Sequence, residues 1–130
     1  MGLSPTGGII GSPQGFSPSP SVNAKLPLTS ITSTALTPIL QYTPIEPDAF
    51  SVRLLILVSA SATATVYIAW TGEDGTSRQW NWMTSYPLPA GAYSMPPINL
   101  YANASGAIVV YIRVTETDVV RVSGSIDRIV

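Results

Sequence analysis

Cysteine and histidine are both absent from this 130-residue chain, and charge is scarce: six basic and seven acidic residues leave a net charge of −1. Without cysteine there is no disulfide framework, and without either residue the common zinc sites are excluded. Without histidine, a nucleophilic triad has no base. The only lysine, Lys25, lies in a proline-rich segment, so Ser–Lys chemistry has little to work with. Six basic residues form no run, which argues against nucleic acid as a partner. The N-terminus has neither the basic region nor the apolar core of a signal peptide. Zero cysteine is compatible with any redox compartment.

Charged residues are 10% of the chain, against roughly 25% in ordinary soluble domains. A solvated monomer needs more surface charge than this, so much of the surface is expected to lie against partners. A monomer coated in serine and threonine is the alternative. A small domain also needs a staple, and with disulfides and zinc excluded the remaining one is oligomerisation.

What is present divides the chain in two. The first 47 residues carry eight prolines and five glycines among many serines and threonines. Residues 1–20 run SPTGG, GSPQG and SPSPS, a composition that cannot build a helix or a sheet interior. Between the later prolines, apolar residues recur at Leu26, Leu28, Ile31, Leu36, Ile39, Leu40 and Tyr42. A solvated linker has no need of them, and they are expected to anchor an extended arm on another surface. The predicted division is an arm over residues 1–47 and a β-domain over residues 48–130.

From Phe50 onward the apolar period is 2. Phe50, Val52, Leu54, Ile56 and Val58 share one face, while Leu55 and Leu57 make the other apolar too, as in a central or covered strand. Residues 54–70 are apolar enough to raise a membrane span, but strict alternation from Ala62 to Trp70 favours two strands, and no membrane partner is expected. Gly72-Glu73-Asp74-Gly75 signals a hairpin. A strand over residues 77–83 follows, with Trp80 and Trp82 on one face, and then a proline-bounded loop from Tyr86 to Gly91. Short strands over residues 92–95 and 98–102 are split by Pro96-Pro97, favouring an edge or a bend. Residues 107–116 alternate, with Ile108, Val110, Ile112 and Val114 inward, and residues 119–130 close the chain with Val120, Val122 and Ile126 inward. Close spacing and turn signals predict an antiparallel β-sandwich or jelly roll of about seven strands, preceded by the arm.

No pattern here points to catalysis, and no cofactor or metal is expected. Glu73 and Asp74, and Glu116 and Asp118, sit in turn sequences, where carboxylates need no further explanation. Asn103-Ala104-Ser105 matches a glycosylation sequon but with Gly106 also reads as a turn. The aromatic cluster is the better candidate: Trp80, Trp82 and Tyr86 either cover the core or form a platform for a sugar or a protein surface.

Residues 93–114 (YSMPPINLYANASGAIVVYIRV) resemble segments of small β-structured virion proteins of tailed phages. There a prolyl loop leads into a short strand, an Ala-x-Ala-x-Gly turn and a valine-rich strand. A proline-rich arm before a compact β-domain is similar to capsid decoration, or cement, proteins. The resemblance implies a homotrimer on the capsid surface that clamps neighbouring major capsid subunits through its arm. The alternative is a carbohydrate- or receptor-binding module of a phage tail or fibre.

Overall fold

The computed structural model describes residues 21–129. Nine strands follow one another: β1 (Ser21–Ser30), β2 (Thr37–Tyr42), β3 (Asp48–Val58), β4 (Ala62–Thr71), β5 (Ser77–Leu88), β6 (Gly91–Ser94), β7 (Ile98–Ala102), β8 (Ile108–Val114) and β9 (Val120–Arg128). They form two antiparallel sheets. One has the order β1-β9-β3-β6, with β7 also on β3; the other has the order β2-β8-β4-β5.

The pairing is nested. β4 pairs with β5, β3 with β6 and β7, β2 with β8, and β1 with β9. The chain is thus one long double-stranded ribbon whose tip is the Gly72–Gly75 turn, rolled so that alternate rungs enter opposite sheets. This is a jelly roll. The seven expected strands are all present as β3 to β9, and burial alternates with period 2 along β3 and β4, while β5 is exposed along most of its length. Phe50, Val52, Leu54, Ile56 and Val58 of β3 face Ala64, Val66 and Ile68 of β4, all buried. β3 is central, pairing with β9 on one side and with β6 and β7 on the other, and its outward Leu55 and Leu57 are half-buried.

Two features correct the sequence reading. First, the sheet begins at Ser21 rather than residue 48, because much of the segment assigned to the arm forms β1 and β2. Proline density suggested otherwise, but proline is excluded only from central strands. β1 and β2 are edge strands, each paired on one side, and Pro27 and Pro38 sit where the register shifts. At the other shift in β1, the Asn23 side-chain carbonyl accepts the Arg128 amide at 2.7 Å. The link between β1 and β2 is tied down too: the Ile31 amide donates to Val120 and its carbonyl accepts from Asp118, at 2.8 and 2.9 Å. Residues 1–20 of the expected arm lie outside the described residues.

Second, β5 continues through Tyr86, Pro87 and Leu88 where a loop was expected. It is an edge strand, so the missing Pro87 donor leaves no ladder bond unmade. Two bulges absorb the extra residues, one beside Trp82 and one at Ser85, whose φ of 44° is left-handed.

Truncation to a start at Glu46 deletes β1 and β2 and uncovers one side of the core. Such a chain is expected to give no cooperative thermal transition by circular dichroism. In the full chain, Leu40→Ala is expected to lower stability by about 2–5 kcal/mol in urea unfolding, since Leu40 is only 5% exposed.

Candidate functional site

The arm residues expected to anchor on a neighbour are partly consumed by this chain's own core. Ile31 and Leu40 are buried, and Leu26, Ile39 and Tyr42 pack against that core half-exposed. Tyr42 meets Phe50 with ring centroids 5.7 Å apart. Leu28 and Leu36 alone remain largely open. Edge position explains this: each strand needs one apolar side to close the sandwich.

The three aromatic residues are brought together. β5 and the β6–β7 pair are the edges of opposite sheets on the same side of the sandwich. Trp80 pairs with Ile68 and Tyr86 with Ala64, so both stand on the inward side of β5. Opposite them the first sheet is interrupted by Met95-Pro96-Pro97, and the core ends there. Inward-pointing rings therefore meet solvent: Trp80 is 49% and Tyr86 57% exposed. They line a groove of about 350 Å³, walled by Trp82, Met83, Met95 and Pro96. Trp82, at the bulge, is half-buried and its indole N–H donates to the Pro96 carbonyl at 3.0 Å. The Trp80–Trp82 platform expected from simple alternation is in fact one exposed ring beside one bracing ring, because the bulge breaks the alternation.

A second surface had no signal beyond low charge. The outer face of β2-β8-β4-β5 presents Gln41, Val109, Tyr67, Tyr111, Gln79 and Asn81, among others. The Tyr67 and Tyr111 rings stack with centroids 5.1 Å apart and planes 26° from parallel. Gln79 donates to Asn81 at 2.8 Å. Arg113 is the one charged residue within this face, and Arg78 at its margin is ion-paired with Asp74 at 3.1 Å. The opposite face, across β1, β9 and β3, holds a wider groove of about 640 Å³, with Lys25, Arg53, Leu55 and Ser125 along it.

Most of the carboxylates lie at turns or in ion pairs. Hydrogen bonds from the Thr76 hydroxyl and amide, with the Arg78 guanidinium nearby, hold the Asp74 carboxyl below the ordinary aspartate range. Asp48 pairs with Arg128 at 3.2 Å. Asp127 is buried, accepts from the Ser125 hydroxyl at 2.9 Å, and has Arg53 at 3.9 Å. Asn103 closes its turn by accepting the Ser105 amide at 3.0 Å.

No family model matches the chain, and no curated protein matches it in sequence. Solved structures share its fold. The structure of infectious bursal disease virus Gx strain is 16% identical at a TM-score of 0.51, covering 85% of this chain and 32% of that one. The VP2 subviral particle of infectious bursal disease virus is 16% identical at 0.52, covering 83% and 30%. The CBM22-1 xylan-binding domain from Paenibacillus barcinonensis Xyn10C is 10% identical at 0.41, covering 85% and 97%. The likeness to the viral structures is one of fold. This chain spans about a third of the length of those viral chains.

The groove makes its two tryptophans unequal. Trp80→Ala is expected to change unfolding stability by under about 1 kcal/mol, as for a surface site. Trp82→Ala loses packing and the bond to Pro96, and is expected to cost about 2 kcal/mol or more.

Proposed function

We infer that this chain is a structural virion protein whose jelly roll assembles with copies of itself and with a capsid lattice, as a decoration protein does. The observation that carries this reading is the outer face of β2-β8-β4-β5: four strands wide, stacked with tyrosine, and charged only at Arg113. A solvated antiparallel face normally alternates with charged side chains. The shared fold with two viral particle structures supports the reading, and jelly rolls are a recurrent capsid architecture. The partners are other copies, a trimer by likeness to decoration proteins, together with major capsid subunits at the capsid surface. The role is non-catalytic.

The size of that face limits what it does alone. Strands spaced about 4.8 Å and residues rising about 3.4 Å give roughly 450 Å² per copy. Two such faces bury roughly 900 Å², under the ~1,200 Å² of a stable interface. A closed trimer also requires two different patches on each copy, because three subunits in a ring meet head to tail. A second contact outside this face is therefore part of the reading.

Light scattering coupled to size exclusion on the full chain is expected to give an oligomer, three times the 13.7 kDa monomer mass. Tyr67→Arg with Tyr111→Arg is expected to return it to the monomer. A wild-type monomer removes the reading.

The exposure of Trp80 and Tyr86 favours a second reading, a carbohydrate- or receptor-binding module. The groove offers a sugar few polar groups beyond the Trp80 N–H and the Tyr86 hydroxyl, since the Trp82 N–H is committed to Pro96 and the Asn81 side-chain oxygen accepts from Gln79. This reading expects tryptophan fluorescence to respond to at least one member of an oligosaccharide panel, and no response removes it.

A further inference from the structure

We propose that the groove on the outer face of the first sheet, between Lys25 and Arg53, receives the β2–β3 loop of a second copy of this chain, with Ile45 as an apolar peg and Glu46 as the matching charge. The proposal rests on the assembly reading and supplies the second contact that reading requires.

The groove is built on β9. Ser123 and Ser125 stand on the outer side of that strand, and longer side chains flank them. Lys25 of β1 lies opposite Ser125, and Arg53 and Leu55 of β3 lie opposite Ser125 and Ser123. Small residues between long ones make a trough of about 640 Å³, which Leu28 and Met95 also line. Its two cations are two strand spacings apart, roughly 10 Å. Both are available. Among the described residues Lys25 is in no ion pair, and Arg53 approaches Asp127 only at 3.9 Å. Asp127 is the one carboxylate beside them, and Arg121 adds a further cation along the outer side of β9. The trough thus joins apolar walls to an excess of positive charge.

The β2–β3 loop carries the complement. It runs Thr43-Pro44-Ile45-Glu46-Pro47. Ile45 is 89% exposed, more than any other large hydrophobic residue among those described. Glu46 beside it is exposed and, among the described residues, in no ion pair, whereas Asp48 is taken by Arg128. The loop is also stiff. Pro44 is buried and pins it to the domain. Both prolines fix their own φ, and each restricts the residue before it. A loop already held in shape loses little entropy when it docks.

The loop of one copy does not serve its own groove. It enters β3 at Asp48, five residues before Arg53 and roughly 17 Å away along the strand. Ile45 is not among the residues that line the trough. The contact therefore joins the loop of one copy to the groove of the next. Two different patches meeting head to tail are what a closed ring of three requires. Burial of Ile45 supplies affinity, and the charge pair fixes register and disfavours wrong partners.

The test uses the full chain, with its dissociation constant measured by light scattering and sedimentation over a concentration series. Ile45→Ser and Lys25→Glu alter exposed side chains, so native β-sheet dichroism and an unchanged Tm are expected for both. Each is expected to weaken association about tenfold or more. Lys25→Glu combined with Glu46→Lys in one chain exchanges the charges and is expected to associate more tightly than Lys25→Glu alone. A wild-type oligomer that neither single substitution weakens overturns the docking while the assembly reading stands, and the occupant of the groove is then not a second copy. Weakening by Ile45→Ser without weakening by Lys25→Glu places the loop elsewhere and overturns the groove. A charge exchange that recovers nothing overturns the pairing. An oligomer that falls to Ile45→Ser and Lys25→Glu but survives Tyr67→Arg with Tyr111→Arg upholds the docking while the outer-face contact fails. A wild-type monomer across the series overturns both.

Discussion

The pairing of the first strand with the last holds the rest of this fold in place. β1 lies along β9 from Ser21 opposite Arg128 to Ser30 opposite Arg121, and every other pairing is nested inside that rung. A nested ribbon has a consequence that a chain of independent hairpins does not. Its outermost rung joins residues about a hundred positions apart, as the Asn23–Arg128 hydrogen bond shows, so it carries a large loop-closure cost if formed first. The innermost rung, β4 with β5 across a four-residue turn, carries the smallest. The outer rung becomes favourable once the inner ones are made, and it then closes the core by placing Ile31 over its end.

The same topology decides where proline and charge go. A rolled ribbon leaves four edges: β1, β2, β5 and the β6–β7 pair. Each carries proline or a register shift: Pro27 in β1, Pro38 in β2, Pro87 and the Ser85 bulge in β5, Pro96-Pro97 between β6 and β7. Proline and bulges blunt an edge against uncontrolled strand addition without the lysines that usually do so. With edges guarded by geometry, this chain manages with few charges, and several of those sit in the turns at Glu73, Asp74, Glu116 and Asp118. The sheet faces are left free to be apolar or hydroxyl-rich.

What the sequence shows of this architecture follows the strength of two-sided burial. β3, β4, β8 and β9 are flanked on both sides, and their inward residues, from Val52 and Ile56 to Val110 and Val122, alternate with enough apolar contrast to reveal both strand and face. β1 and β2 are paired on one side only. Their segments, SVNAKLPLTS and TPILQY, have the prolines of a linker, and what makes them strands is the partner, not the local residues. The apolar residues at Ile31 and Leu40 were a true signal of docking; the surface they dock on is their own core, and a sequence shows that a residue needs burial without showing against what. The groove was half legible. Trp80 and Tyr86 stood out as aromatic, and alternation alone sets both on one side of β5, but the bulges that take Trp82 out of that row depend on matching twelve residues of β5 to ten of β4. No local pattern records that mismatch.

Removing residues 21–42 from the arm changes which parts of the chain are free for assembly. Anchors buried in the domain cannot also hold a neighbour, so a lattice contact has to be built from what the fold leaves open. Among the described residues that is a short inventory: the tyrosine-stacked outer face of β2-β8-β4-β5, the Lys25–Arg53 groove on the opposite face, and the aromatic groove at the β5 edge. The face is flat and polar but nearly uncharged, so it has area without strong anchors. The aromatic groove has anchors without area, two half-exposed rings and two donors. Interfaces draw most of their energy from a few buried aromatic side chains surrounded by near-neutral contact. In this fold those two ingredients lie apart, the anchors at one edge and the flat contact around the corner from it. A protein so divided holds a partner firmly only when both are engaged at once, and that favours a tethered, multi-point attachment over a single lock.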